Sequence, residues 1–140
     1  MYYIDSFEVA IYGGLVKLVV VNNSKEYKQF LQDSNIEVDD YEDFSALTID
    51  HAKVGEGLDV WFIVLKSDNL TRFNFKDCDI DILEDLVHEL VHLKNLIYSS
   101  RGIRPDLDND EPEAYLLAYL HFQVRKMINL YWEKNVKDLE

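Results

Sequence analysis

Five consecutive residues, His88-Glu89-Leu90-Val91-His92, carry the strongest chemical pattern in the chain. On a helix, histidines four residues apart stack one turn above the other, so both imidazoles can point at a single metal ion. Neutral imidazole nitrogens at about 2.0 to 2.1 Å suit tetrahedral Zn²⁺. Glu89 then stands beside the ion without ligating it, placed to take a proton from zinc-activated water and pass it to a leaving amine. With four histidines and eleven glutamates among 140 residues, the full His-Glu-x-x-His pattern arises by chance in about one such chain in a hundred.

A catalytic zinc takes a third protein ligand and keeps a fourth position open. Glu111 is the leading choice, because the residues from 93 to 110 are enough to end one helix, turn, and return with a second. Glu113 competes, but two residues further on is about 200° around the same helix, so only one of the two can face the ion. Glu111 is preferred, since its stripe continues through Tyr115 and Ala118. Tyr115 is also the nearest residue that could stabilise an oxyanion. Asp106, Asp108 and Asp110 sit in an Asp/Asn-rich connector and read as turn and cap residues. Asp85, one turn before His88, could orient an imidazole, although a solvated aspartate is the simpler reading. His51 and His121 read as structural or exposed.

These residues need elements to hold them. Leu83, Leu86, Val87, Leu90, Leu93 and Ile97 recur at helical spacing and predict a helix from about 79 to 99, with Asp81, Asp85, His88, His92 and Asn95 on a separate polar stripe. Gly102 and Pro105 end it, and a last helix is expected from Glu111-Pro112 to about Lys137. Its core face would be Leu116, Leu117, Leu120, Val124, Met127, Ile128 and Tyr131. Upstream, Phe7 to Tyr12 and Leu15 to Val21 predict a hairpin closed by Gly13-Gly14, followed by a short helix over Lys25 to Gln32 with Ser24 as its cap. An acidic connector spans 33 to 43. A second hairpin pairs Ala46 to Ala52 with Leu58 to Leu65 around Gly55-Glu56-Gly57, and the apolar run from Val60 to Leu65 belongs in the middle of a covered sheet. A short segment near Phe73 to Phe75 precedes the first long helix.

A length of 140 residues fits one domain, residues 1–140, and 48% hydrophobic residues predict a packed core. A net charge of −13 opposes binding to a phosphate backbone or an anionic membrane and leaves cations and basic partners open. Cys78 is the single cysteine, which rules out an internal disulfide and suits a reducing compartment. With no basic-then-apolar leader and no long apolar span, a cytoplasmic protein is expected.

The pattern His88-Glu89-Leu90-Val91-His92 with a following-helix glutamate resembles the zincin metallopeptidases, and its spacing to Glu111 is similar to that of the gluzincin aminopeptidases. Glu111-Pro112-Glu113-Ala114 also resembles the Glu-x-x-Ala of compact metallopeptidases of mobile elements, some of which cleave repressors. More loosely, residues 80 to 122 look like short, uncharacterised phage-encoded zincin-like proteins. No counterpart of the aminopeptidase amine-recognition motif precedes the helix. The resemblance implies a minimal zincin of α+β class, with a small, mostly antiparallel sheet against the motif helix and a long C-terminal helix. It implies a zinc peptidase with His88, His92 and Glu111 as ligands and Glu89 as general base. Its partner would be a peptide or protein substrate, which a sheet-edge strand, Ala46 to Ala52 or Leu58 to Leu65, could pair with. The alternative is a phage-type acidic binding protein, located in the host cytoplasm, that blocks a host protein and carries a structural or vestigial zinc.

Overall fold

The computed structural model describes residues 1–37, 44, 46–51, 59–69 and 80–135. In chain order the elements are β1 (Tyr3–Glu8), β2 (Leu15–Val21), α1 (Ser24–Asp33), β3 (Ala46–His51), β4 (Val60–Lys66), α2 (Ile80–Ser100) and α3 (Glu111–Asn135). A short 3₁₀ turn, Ser67–Asn69, follows β4. The class is α+β. Residues 38–43, the Gly55-Glu56-Gly57 loop, the segment near Phe73, Cys78 and the chain beyond 135 lie outside the described residues.

The four strands are ordered β1-β2-β4-β3, so β3 is an edge and β4 is internal. The outer pairings, β1 with β2 and β3 with β4, are antiparallel as expected, but β2 runs parallel to β4 at the centre, making the sheet mixed. A parallel pair needs a long crossover, which α1 and β3 supply. It also needs both faces covered. One face of β2 and β4, including Leu18, Trp61 and Ile63, packs against Leu86, Leu90, Leu93 and Ile97 of α2 and against α3. The other, with Val19, Val21, Phe62 and Val64, packs against Tyr27, Phe30 and Leu31 of α1.

The first hairpin differs from its expectation. β1 begins at Tyr3 and ends at Glu8, and the turn is longer than two residues: the Val9 N–H donates to the Gly14 carbonyl at 3.0 Å across it. Gly14 is there for another reason than a tight turn. A Cβ on it would lie 2.6 Å from the Trp61 ring, so the strand end must be bare for the indole to pack.

Helix α2 keeps Leu86, Leu90, Leu93 and Ile97 buried, whereas Val87, about 100° round from Leu86, is exposed. It ends in a Schellman arrangement, with Gly102 at φ +67 and the Ile103 N–H donating to the Tyr98 carbonyl at 2.9 Å. Helix α3 buries Leu116, Leu120, Val124, Met127, Ile128 and Tyr131. Helix α1 is capped by Asn23, one residue earlier than expected, whose side chain accepts from the Glu26 N–H at 2.9 Å. Among the described residues no helix is long and apolar enough to cross a membrane.

Candidate metal centre

The polar stripe of α2 lies on the flank that faces β3, because its opposite edge is taken up by the core. His88 and His92 are both exposed and bring their Nε2 atoms to 3.1 Å of each other. Two nitrogens on one tetrahedral ion at about 2.05 Å stand about 3.3 Å apart, so the pair is already spaced as two edges of one coordination shell. Glu89 is placed differently. Only 8% exposed, it points under β3, where its Oε1 accepts from the Thr48 N–H at 2.9 Å and the Thr48 hydroxyl at 3.2 Å. The same hydroxyl also reaches the Glu89 backbone carbonyl at 3.0 Å. The second oxygen, Oε2, is left 3.8 Å from His88 Nε2. Together His88, Glu89 and His92 form a group whose ligating atoms all lie within 4.8 Å of one another.

The group opens on a cleft of about 460 Å³ walled by Thr48 and Asp50 of β3 and by Glu89, His92 and Asn95 of α2. Two imidazole nitrogens at this spacing, with a carboxylate beside them, fit an ion such as zinc.

The other predicted site residues are carried elsewhere. Lys94 is about 200° round α2 from His92, and this nearly buried lysine forms an ion pair with Glu113. Tyr98, one turn later on that same flank, has its hydroxyl pushed up to about 12 by burial, by a hydrogen bond with Tyr12, and by the charges of Tyr12 and Glu113. The start of α3 is therefore docked on the flank of α2 that faces away from the histidines. Glu111 and Tyr115 line a separate cavity with Ile11, Tyr12 and Tyr119, and Glu111 is not part of the His-Glu-His group. Asp106 and Asp110 act as turn and cap residues, as read: Asp106 Oδ1 accepts from the Asp108 N–H and the Asp110 carbonyl from the Ala114 N–H, both at 2.9 Å. Asp85 is exposed. His121 is half-buried, its Nε2 without a hydrogen-bond partner, and its pKa is lowered by burial and then by Arg125. The backbone of His51 closes β3, while its side chain lies outside the described residues.

Comparison with known proteins adds no relative. No family model matches the chain, and no curated protein or solved structure matches it either.

Thr48 and Asp50 are the residues of this cleft that sequence reading did not single out. They alternate along β3 with Leu47 and Ile49, which pack with the α1 cluster, so the two-residue period of the strand turns both to the α2 side. That alternation was visible in Ala46-Leu47-Thr48-Ile49-Asp50; the partner helix was not.

Proposed function

We propose that the cleft between α2 and β3 binds Zn²⁺ through His88 and His92 and hydrolyses a peptide bond. The observation that carries this reading is the convergence of the two Nε2 atoms at 3.1 Å beside a carboxylate whose Oε1 is anchored by Thr48. Zinc, when bound, supplies Lewis acidity, which brings a water to ionise near pH 7 and polarises a substrate carbonyl.

The chain's own residues do the rest. Thr48 fixes Glu89 Oε1 by two hydrogen bonds, so the carboxylate cannot swing away, and Oε2 is the oxygen that accepts the water proton and returns it to the leaving amine. β3 is an edge strand of the sheet, and an extended peptide would add along it as a further strand. The Thr48 N–H is already used by Glu89, so it is not available to the added strand. Asp50 also lines this cleft and is the further carboxylate we assign as third ligand, a role the sequence reading gave to Glu111, which lines a separate cavity.

Metal content of the purified protein, read with cleavage of an unstructured protein substrate, tests the reading. Wild type is expected to hold one zinc per chain and His88→Ala and His92→Ala none. Glu89→Gln keeps the metal and loses hydrolysis, because the amide oxygen still accepts from Thr48 but no longer takes a proton. Asp50→Ala is expected to weaken zinc binding, while Glu111→Ala and Glu113→Ala retain it. Wild type without zinc after reconstitution would sink the proposal; zinc with hydrolysis that survives Glu89→Gln would sink the assigned base.

A further inference from the structure

Between the β1–β2 turn and the start of α3 lies a cavity of about 610 Å³, larger than the cleft beside the histidines. Ile11 and Tyr12 of the turn form one wall, and Pro112, Tyr115 and Tyr119 of α3 form the other, with the Glu111 carboxylate as its charged group. The turn that supplies Ile11 is strained. Its φ is +73, and the Tyr12 N–H bonds the Ala10 carbonyl at 2.8 Å, which makes Ile11 the centre of a γ-turn of the rare positive-φ kind. A β-branched residue seldom adopts that conformation. Packing gives no reason for it here, since the Ile11 side chain is 99% exposed.

The strained turn is nevertheless held rigid. Arg101 Nε donates to the Tyr12 carbonyl at 2.6 Å, its guanidinium pairs with Asp59, and it lies 5.9 Å from the Trp61 ring. The Tyr12 ring rests on Tyr98, and the Tyr119 hydroxyl donates to the Glu8 carbonyl at 2.8 Å. Two of the three tyrosines are thus fixed in place, and the third, Tyr115, is 73% exposed. Beside them runs the exposed connector with Asp106, Asp108 and Asp110, in which Leu107 also projects into solvent.

We propose that this cavity docks a basic polypeptide segment, with one apolar side chain entering between Ile11 and the tyrosines while a neighbouring Lys or Arg meets Glu111 and the connector aspartates. Backbone strain that the core does not use persists where it holds a contact group in position. Tyrosine faces and a carboxylate around one apolar hole attract a cation carried next to an apolar group. Exposed Leu107 and Tyr115 extend the apolar surface past what one small molecule covers. A second copy of the chain is a poor occupant, since two molecules of net charge −13 repel. The inference stands apart from the zinc cleft, which lies on the other flank of α2.

Selection from a random displayed peptide library, run in parallel on immobilised wild type and Ile11→Gly, tests it. Glycine accepts positive φ, so Ile11→Gly is expected to fold, to melt at a higher temperature than wild type, and to take up the same amount of zinc. Peptides enriched on wild type should pair an aromatic or branched aliphatic residue with Lys or Arg, and they should bind Ile11→Gly at least about tenfold more weakly. Enrichment of acidic or uncharged sequences, equal binding to Ile11→Gly, or no enrichment at all would overturn the proposal. So would self-association of the wild type in sedimentation that Ile11→Gly removes, because it would assign the surface to a second copy.

Discussion

A buried carboxylate is costly unless its oxygens are satisfied, and among the described residues Glu89 meets that condition at Oε1. Thr48 supplies both donors to Oε1, and Oε2 is the atom to which the proposed function gives the proton transfer. His121 illustrates the same physics without a partner. Burial, and secondarily Arg125, lowers its pKa, and its Nε2 is enclosed without a hydrogen bond. The unfolded chain therefore takes up this proton first as pH falls past the ordinary histidine value of about 6.5. The contribution of His121 to stability is complete above that pH and is lost progressively below it, down to its lowered folded value. Urea unfolding of wild type and His121→Gln across this range should show the wild type losing stability relative to the variant on the acid side. A difference that stays constant with pH would show that the ring is solvated in the folded state.

At the scale of elements, two glycines with positive φ separate backbone freedom from close approach. Gly102, at φ +67 in the end of α2, has nothing within 4 Å of where a Cβ would be. Gly14, at φ +89, would place a Cβ 2.6 Å from the Trp61 ring and 3.1 Å from the Asp59 carbonyl. Gly102→Ala is expected to cost about 1 kcal/mol, the backbone contribution alone. Gly14→Ala should cost about 3 kcal/mol, since a core indole must also move. Denaturant melts of the two variants check the ordering, and equal losses would mean that Trp61 has room to shift. The same scale decides where Glu111 goes. The short connector after Gly102 returns α3 along one flank of α2, and the Lys94–Glu113 pair with Tyr98 fixes which flank that is.

For the whole molecule, 27 acidic against 14 basic residues leave a self-repelling surface around a well-filled core. Salt screens that repulsion, with a Debye length near 10 Å at about 0.1 M. The melting temperature should therefore rise on adding sodium chloride, and a fall would show that specific ion pairs such as Arg101–Asp59 outweigh net charge. Local patterns carried much of this architecture. β2 matches its expected span, α2 lies within one residue of it, and the metal pattern sits on a helix with its histidines off the apolar stripe. These features depend on neighbours a few residues apart, where periodicity and caps act directly. The parallel pairing of β2 with β4, the longer β1–β2 turn and the choice of β3 as the cleft edge came from contacts between distant segments. Helical spacing alone placed Glu111 and Tyr115 on a plausible stripe, but it could not say on which side of α2 the second helix would pack. That side is set by Lys94, Tyr98, Tyr12 and the Trp61-bound turn acting together. Residue spacing thus determined the two-histidine motif and its helix, while the choice of carboxylate beside it was made by tertiary packing, because side chains far apart in sequence converge only after the helices have docked.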